Sequence, residues 1–105
     1  MKTTPVLSDP EMRALGFTDH VEDTWYLLSR VDDHTTLNIS INKKTGEYRE
    51  DVLDEIYSQP AYYGRMKEPF RTEAHDSINA AVARLNEAGL DIEVDHRSYG
   101  WERGT

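Results

Sequence analysis

Residues 35–42 alternate between apolar and polar side chains, and this segment constrains the fold more than any other. The apolar positions are Leu37, Ile39 and Ile41, and the positions between and around them are Thr36, Asn38, Ser40 and Asn42. Successive side chains of a strand point to opposite faces, so the pattern predicts a strand with one buried and one solvated face. Such a strand needs further strands or a helix to be stable.

Two more runs of this kind flank it. Residues 24–31 place Trp25, Leu27 and Val31 on one face, and residues 47–53 form the third run. The connection at 32–34 is polar and turn-like, and the one at 43–46 ends on Gly46, which takes a positive φ without strain. Three runs joined by short turns predict an antiparallel meander.

Helix signals precede and follow the meander. Ser8 and Glu11 have the spacing of a capping box, which predicts a short helix over 8–16. A longer helix is predicted over 72–88, with Thr72 as its N-cap and Gly89 ending it. Residues 90–94 alternate again and predict a fourth strand.

The 105 residues therefore predict one α+β domain, residues 1–105. It is an antiparallel β-meander of three to four strands, packed by an α-helix from the C-terminal half and preceded by a short N-terminal helix. The expected core is Leu27, Leu37, Ile39, Ile41, Ile78, Val82, Leu85, Ile92 and Val94. Residues 100–105 are expected to fray unless Trp101 docks.

The composition narrows the function classes. The chain has no cysteine, so it has no disulfide, thiolate zinc site or cysteine nucleophile. Its formal net charge of −8 opposes binding to nucleic-acid backbones and to anionic membranes. We see no signal peptide and no apolar run that spans a bilayer, so we expect a cytoplasmic protein without membrane association.

Each histidine has an aspartate neighbour: Asp19-His20, Asp33-His34, His75-Asp76 and Asp95-His96. A carboxylate that orients an imidazole is part of many metal and catalytic sites. Adjacent side chains diverge on strands and helices, however, and no histidine has preformed ligand spacing. Nucleophile and phosphate-loop motifs are missing as well. The sequence favours a non-catalytic protein without metal or cofactor, and a small metal-dependent or carboxylate hydrolase is an alternative.

Residues 54–71 lack regular periodicity and combine aromatic with cationic side chains. Loops this long in a compact domain are often functional, and tyrosine and arginine are enriched in interface cores. The predicted partner-binding residues are Tyr57, Tyr62, Tyr63, Arg65 and Phe70. The partner is a protein or a second copy of the chain, in a possible homodimer. Alternatively, these tyrosines fold back over the sheet edge.

Nucleic acid suggests two further hypotheses. The loop aromatics with Arg65, Lys67 and Arg71 are the mixture that binds a single strand, but the net charge argues against nucleic acid as the partner. Conversely, Asp91, Glu93 and Asp95 would project from one face of a β-strand about 6.6–6.8 Å apart, which is close to the spacing of phosphates along a nucleic-acid strand. Such a surface could imitate nucleic acid and inhibit a DNA- or RNA-binding enzyme.

The segment 52–63 reads Val-Leu-Asp-Glu-Ile-Tyr-Ser-Gln-Pro-Ala-Tyr-Tyr and follows the Thr45-Gly46 turn by one strand. This arrangement resembles small proteins encoded by phages and prophages of Gram-positive bacteria, in which an acidic pair and a Gln-Pro-aromatic segment likewise follow the hairpin turn. The resemblance implies an accessory role in a mobile element and no catalytic residue.

Overall fold

The computed structural model describes residues 2–102. Its elements are α1 (Asp9–Ala14), β1 (Thr24–Arg30), β2 (Thr35–Asn42), β3 (Tyr48–Asp54), β4 (Gln59–Pro60) and α2 (Phe70–Glu87), with 3₁₀ turns at Tyr63–Arg65 and His96–Tyr99. The strands form one antiparallel sheet in the order β1-β2-β3-β4. The predicted α+β class, with its meander and two helices, is confirmed. No helix in this range is both long and apolar enough to cross a membrane.

The inner face of the sheet carries the core. Trp25 lies opposite Ile41, and Leu27 lies opposite Ile39. These side chains are buried together with Leu37, Val52, Ile78 and Leu85, as the alternation predicts. Val82 is only partly buried, at the margin of this core. The outer face is only partly solvated, contrary to the prediction: Thr36 and Asn38 of the inner strand β2 are buried there, whereas Tyr26 and Leu28 are exposed.

Both helices begin with side-chain hydrogen bonds, but α2 begins differently from the prediction. In α1, Ser8 and Glu11 form the predicted capping box. Helix α2 starts at Phe70, so Thr72 lies in its first turn rather than at its N-cap. The backbone N–H and Oγ1 of Thr72 donate to the carboxylate of Glu68, at 2.8 and 2.6 Å. The Glu68 carboxylate therefore accepts from an N–H of the first turn, and its negative charge interacts favourably with the positive end of the helix dipole.

The fourth strand of the sheet is Gln59–Pro60, not residues 90–94. The alternation in 90–94 nevertheless reports burial correctly, because Leu90, Ile92 and Val94 are buried and Asp91, Glu93 and Asp95 are exposed. The segment is extended and lies against the core without pairing as a strand.

Side chains provide the hydrogen-bond partners that a neighbouring strand would otherwise supply to this segment. The N–H of Asp91 donates to Thr4 Oγ1 at 2.7 Å, that of Ile92 to Asn86 Oδ1 at 2.8 Å, and that of Glu93 to the hydroxyl of Tyr48 at 3.0 Å. Asn86 Nδ2 also donates to the carbonyl of Ile92 at 2.9 Å. Because backbone groups near a core must be satisfied, these bonds allow a buried extended segment outside any sheet.

Residues 54–71 are ordered by local hydrogen bonds. Asp54 Oδ1 accepts from the N–H of Ile56 at 2.9 Å, and Ser58 takes a positive φ of 51° to close the β3–β4 turn. The chain then forms β4 and the first 3₁₀ turn before α2. The loop predicted from the sequence is thus a hairpin end followed by a short helical connection.

Candidate functional site

The predicted partner-binding residues are divided between surface and core. Tyr57 is 72% exposed at the tip of the β3–β4 turn, and Phe70 is 62% exposed at the start of α2. Tyr62 is also exposed, and the guanidinium of Arg65 lies 5.0 Å from the centroid of its ring. Tyr63, in contrast, is only 1% exposed.

Tyr63 is therefore a core residue in this fold, and its ring is not available to a partner. It stacks on Tyr99 with ring centroids 5.6 Å apart, and its hydroxyl hydrogen-bonds to Nδ1 of His96. Burial raises the pKa of Tyr63 above its ordinary value. The signal for this was a continuing alternation after β4, in which Ala61 and Tyr63 are buried and Tyr62 between them is exposed.

Behind Tyr63, four planar groups form a column that the sequence did not predict. The guanidinium of Arg71 lies 3.8 Å from the centroid of the Trp101 ring. Trp101 also stacks on His75, with centroids 3.9 Å apart and planes 14° apart. His75 in turn lies 4.3 Å from the ring of His96. Trp101 thus docks on the fold, and residues 103–105 of the predicted frayed tail lie outside the described residues.

His96 is hydrogen-bonded through both ring nitrogens. Its Nε2 lies 2.9 Å from Asn79 Oδ1, and its Nδ1 is hydrogen-bonded to the hydroxyl of Tyr63. Partial burial, reinforced by the neighbouring His75, lowers the pKa of His96 below its ordinary value. His96 therefore connects the column to the core: its ring contacts His75, and its Nδ1 is hydrogen-bonded to the buried Tyr63.

Two glycines let the two 3₁₀ turns touch. A Cβ on Gly64 would lie 2.1 Å from the backbone nitrogen of Trp101. A Cβ on Gly100, whose φ is +83°, would lie 2.8 Å from Cγ of Arg65. Only glycine permits such close backbone approach, so these positions fix Arg65 beside Trp101.

The contact of the two turns creates an open groove of about 750 Å³, here called the arginine groove. Its lining residues are Gly64, Arg65, Arg71, Arg97, Gly100, Trp101 and Glu102. They come from both 3₁₀ turns, from the first turn of α2 and from the chain after the second turn.

A second depression of about 260 Å³, here called the apolar notch, lies between the end of β1 and the start of α2. Val31, Met66, Phe70 and Ala74 form its apolar part, and Asp32, Glu73 and Ser77 complete its lining. The predicted residue Phe70 therefore borders a concave apolar surface.

The aspartate–histidine neighbours do not assemble into one site. His75 and His96 meet, and Nδ1 of His75 lies 3.3 Å from Oδ1 of Asp76. Asp19 instead pairs with Arg13 and Lys43, at 2.9 and 3.0 Å. Within residues 2–102, no three histidine, aspartate or glutamate side chains are arranged to hold a metal ion.

The predicted acidic row is exposed, but its members differ. Asp91 and Glu93 project into solvent. The carboxylate of Asp95 accepts from Ser98 Oγ at 2.8 Å and from the N–H of Arg97 at 3.2 Å, and so caps the second 3₁₀ turn. The hydrogen bond from Ser98 is the main cause that lowers the pKa of Asp95.

No family model and no curated protein matches the sequence. Among solved structures, the chain is similar to a DUF1831 family protein from Lactobacillus plantarum, with a TM-score of 0.64 and 15% sequence identity. The similarity covers 87% of this chain and 84% of that one. At this identity the match shows the α+β fold.

Proposed function

We propose that this protein is a non-catalytic binding or accessory protein that contacts another protein through the surface formed by Tyr62, Met66 and Phe70. One observation carries the proposal. Of the nine large hydrophobic side chains exposed among residues 2–102, Tyr62, Met66 and Phe70 lie close together in the chain, and Met66 and Phe70 line the apolar notch together. A concentration of exposed apolar groups is typical of an interaction site, whereas single exposed groups are ordinary.

The apolar notch gives this surface a shape that a partner could fill. Met66 and Phe70 form one side of it, and Val31 forms the other. Interface hot spots are commonly side chains inserted into such desolvated pockets. Because Asp32 and Glu73 also line the notch, the best-fitting partner segment carries an apolar side chain with a basic neighbour.

Tyr62 and Arg65 extend the surface with residue types that interfaces favour. Their cation–π contact holds the Arg65 guanidinium over the tyrosine ring, which reduces the side-chain entropy that binding would otherwise cost. Tyr57 forms a separate exposed point with Ile56 at the hairpin tip, and its contribution is tested separately below.

The test is affinity capture from nuclease-treated lysate, followed by mass spectrometry. A Met66→Ser/Phe70→Ser variant is compared with the wild type and with a Val6→Ser/Val21→Ser control, which removes exposed apolar groups elsewhere. We expect a partner retained by the wild type and the control and lost by the variant at equal thermal stability. Hydrogen exchange in the complex should protect the first turn of α2.

Two outcomes would contradict the proposal. One is a partner retained equally by all three proteins, and the other is the absence of any partner together with a monomer in native mass spectrometry. If the wild type is a dimer and the Met66→Ser/Phe70→Ser variant is a monomer, the partner is a second copy of the chain. Tyr57→Ser shows whether the hairpin tip belongs to the same interface.

The acidic row favours a second candidate, an inhibitor that imitates nucleic acid. Its support is the fixed backbone of residues 91–95, from which Asp91 and Glu93 project to one side. This role fits the mobile-element accessory protein that the sequence resemblance implies. Captured DNA- or RNA-handling enzymes should be lost with Asp91→Asn/Glu93→Gln and kept with Asp33→Asn/Glu87→Gln. Binding that does not weaken with added salt would contradict mimicry.

A further inference from the structure

The arginine groove collects positive charge in a strongly acidic chain. The sequence has 20 acidic and 12 basic side chains, yet three arginines and one acidic residue line the groove. Charges farther away than a Debye length of about 8 Å are largely screened at physiological salt. An anion inside the groove is therefore governed by the lining charges, Arg65, Arg71 and Arg97 against Glu102, rather than by the net charge.

Arg71 is fixed in place by the fold. Its Nε donates to the carbonyl of Gly64 at 2.9 Å, and one terminal nitrogen donates to the carbonyl of Glu102 at 3.3 Å. Its guanidinium carbon lies 3.8 Å from the centroid of the Trp101 ring, which also stacks on His75. These contacts hold the Arg71 side chain at the wall of the groove, so it does not have to be reorganised when a ligand binds.

Arg65 and Arg97 are the groove cations with uncommitted guanidinium groups. Among the described residues, neither side chain forms an ion pair or a hydrogen bond to a carboxylate; the guanidinium of Arg65 lies over the ring of Tyr62, and its stem lies beside Gly100. Both are exposed. A guanidinium offers donors in a planar fork that matches the oxygens of a phosphate or a carboxylate.

We propose that the arginine groove binds the oxyanion group, phosphate or carboxylate, of a small organic anion, with Arg65 and Arg97 donating to its oxygens. Arg71 supplies positive charge from the wall. The groove volume of about 750 Å³ accommodates a ligand considerably larger than a single phosphate. This site shares Arg65 with the proposed partner surface, but neither Met66 nor Phe70 lines it, and anion binding does not depend on the protein partner proposed above.

The test is an NMR titration of the ¹⁵N-labelled full chain with inorganic phosphate, pyrophosphate and citrate. Sodium chloride at matched ionic strength is the reference. We expect saturable shifts at the amides of Gly64 and Gly100 and at the indole N–H of Trp101. The ranking of the two phosphate probes against citrate identifies the preferred oxyanion. Affinity should fall as salt is added, because the recognition is between charges.

Variants locate the binding. Arg97→Gln and Arg65→Gln should each weaken it by about tenfold to a hundredfold, the usual effect of losing a charge-assisted hydrogen bond. The control Arg49→Gln removes an exposed arginine that does not line the groove and should leave affinity unchanged. If one of these two groove variants fails to fold, its amide spectrum will show this and the other variant still tests the proposal.

The proposal is overturned if no probe gives saturable shifts at concentrations on the order of 10 mM, the range of weak single-anion binding. It is also overturned if the shifts spread evenly over the surface, or if Arg49→Gln weakens binding as much as the groove variants do. Met66→Ser/Phe70→Ser should bind the anions normally, so the failure of one proposal leaves the other standing.

Discussion

Tyr99→Phe removes a single oxygen atom that holds the second 3₁₀ turn to the sheet. The hydroxyl accepts from the N–H of Val52 at 3.0 Å and donates to Oε2 of Glu50 at 3.1 Å. Just after β4 the N–H of Ala61 donates to the carbonyl of Val52 at 2.9 Å, but the carbonyl of Ala61 accepts from the N–H of Tyr63 at 2.8 Å and not from Val52. The hydroxyl oxygen of Tyr99 is the acceptor for Val52 instead. Phenylalanine preserves the ring stacked on Tyr63 and leaves this N–H without its partner.

The expected cost follows from the burial of that amide. Val52 is 0% exposed, so water cannot readily replace the lost acceptor. An unsatisfied buried donor typically costs about 1–3 kcal/mol. For a domain of this size, each 1 kcal/mol lowers the Tm by roughly 4–8 °C. Thermal and urea unfolding should both show the loss.

Tyr57→Phe is the matched control, because it removes the hydroxyl of a tyrosine that is 72% exposed. Its unfolding free energy should stay within about 0.5 kcal/mol of the wild type. Amide exchange provides a local readout, since Val52 should lose protection in Tyr99→Phe alone. Equal stability of the two variants would refute the argument that Tyr99 completes the edge of the sheet.

Three further substitutions test other contacts. Gly64→Ala places a methyl group 2.1 Å from the nitrogen of Trp101, so it should destabilise by about 1–3 kcal/mol in urea unfolding; an unchanged midpoint would contradict the close approach. Ser8→Ala removes the capping box of α1 and should cost about 0.5–2 kcal/mol in the same assay. Burial raises the pKa of Glu50, so its ionisation costs stability as the pH rises above the ordinary carboxyl pKa. Glu50→Gln should therefore gain stability relative to wild type between about pH 4 and pH 7; a difference independent of pH would refute this.

The alternation of side chains predicted the inner face of the sheet, but neither the burial of Thr36 and Asn38 on the outer face nor which segments pair. Leu37, Ile39 and Ile41 occupy the core as expected, because every second side chain of a strand points to the same face. Ile92 and Val94 show the same period and are buried too, yet the N–H groups of Ile92 and Glu93 donate to the side chains of Asn86 and Tyr48 and not to a neighbouring strand. Periodicity carries no information about the identity of the hydrogen-bond acceptor.

The candidate sites were predictable only in part. Tyr62 and Phe70 lie on the surface, whereas Tyr63 points inward because the period of two continues past β4. The arginine groove joins Arg65 to Arg97, which are distant in sequence and meet only where Gly64 approaches Gly100 and Trp101. No local pattern encodes a contact between two turns so far apart in the chain.

The hydrogen bonds from residues 91–95 to distant side chains also have a consequence for the order in which parts of the chain fold. Their acceptors include Thr4 from the N-terminal segment, Tyr48 from β3 and Asn86 from the last turn of α2. This segment has no local ladder to nucleate it, so it can settle only after the meander and the long helix are in place. We expect it to form late in refolding and to be among the first parts of the native protein to open, exposing Ile92 and Val94 to proteases while the sheet remains intact.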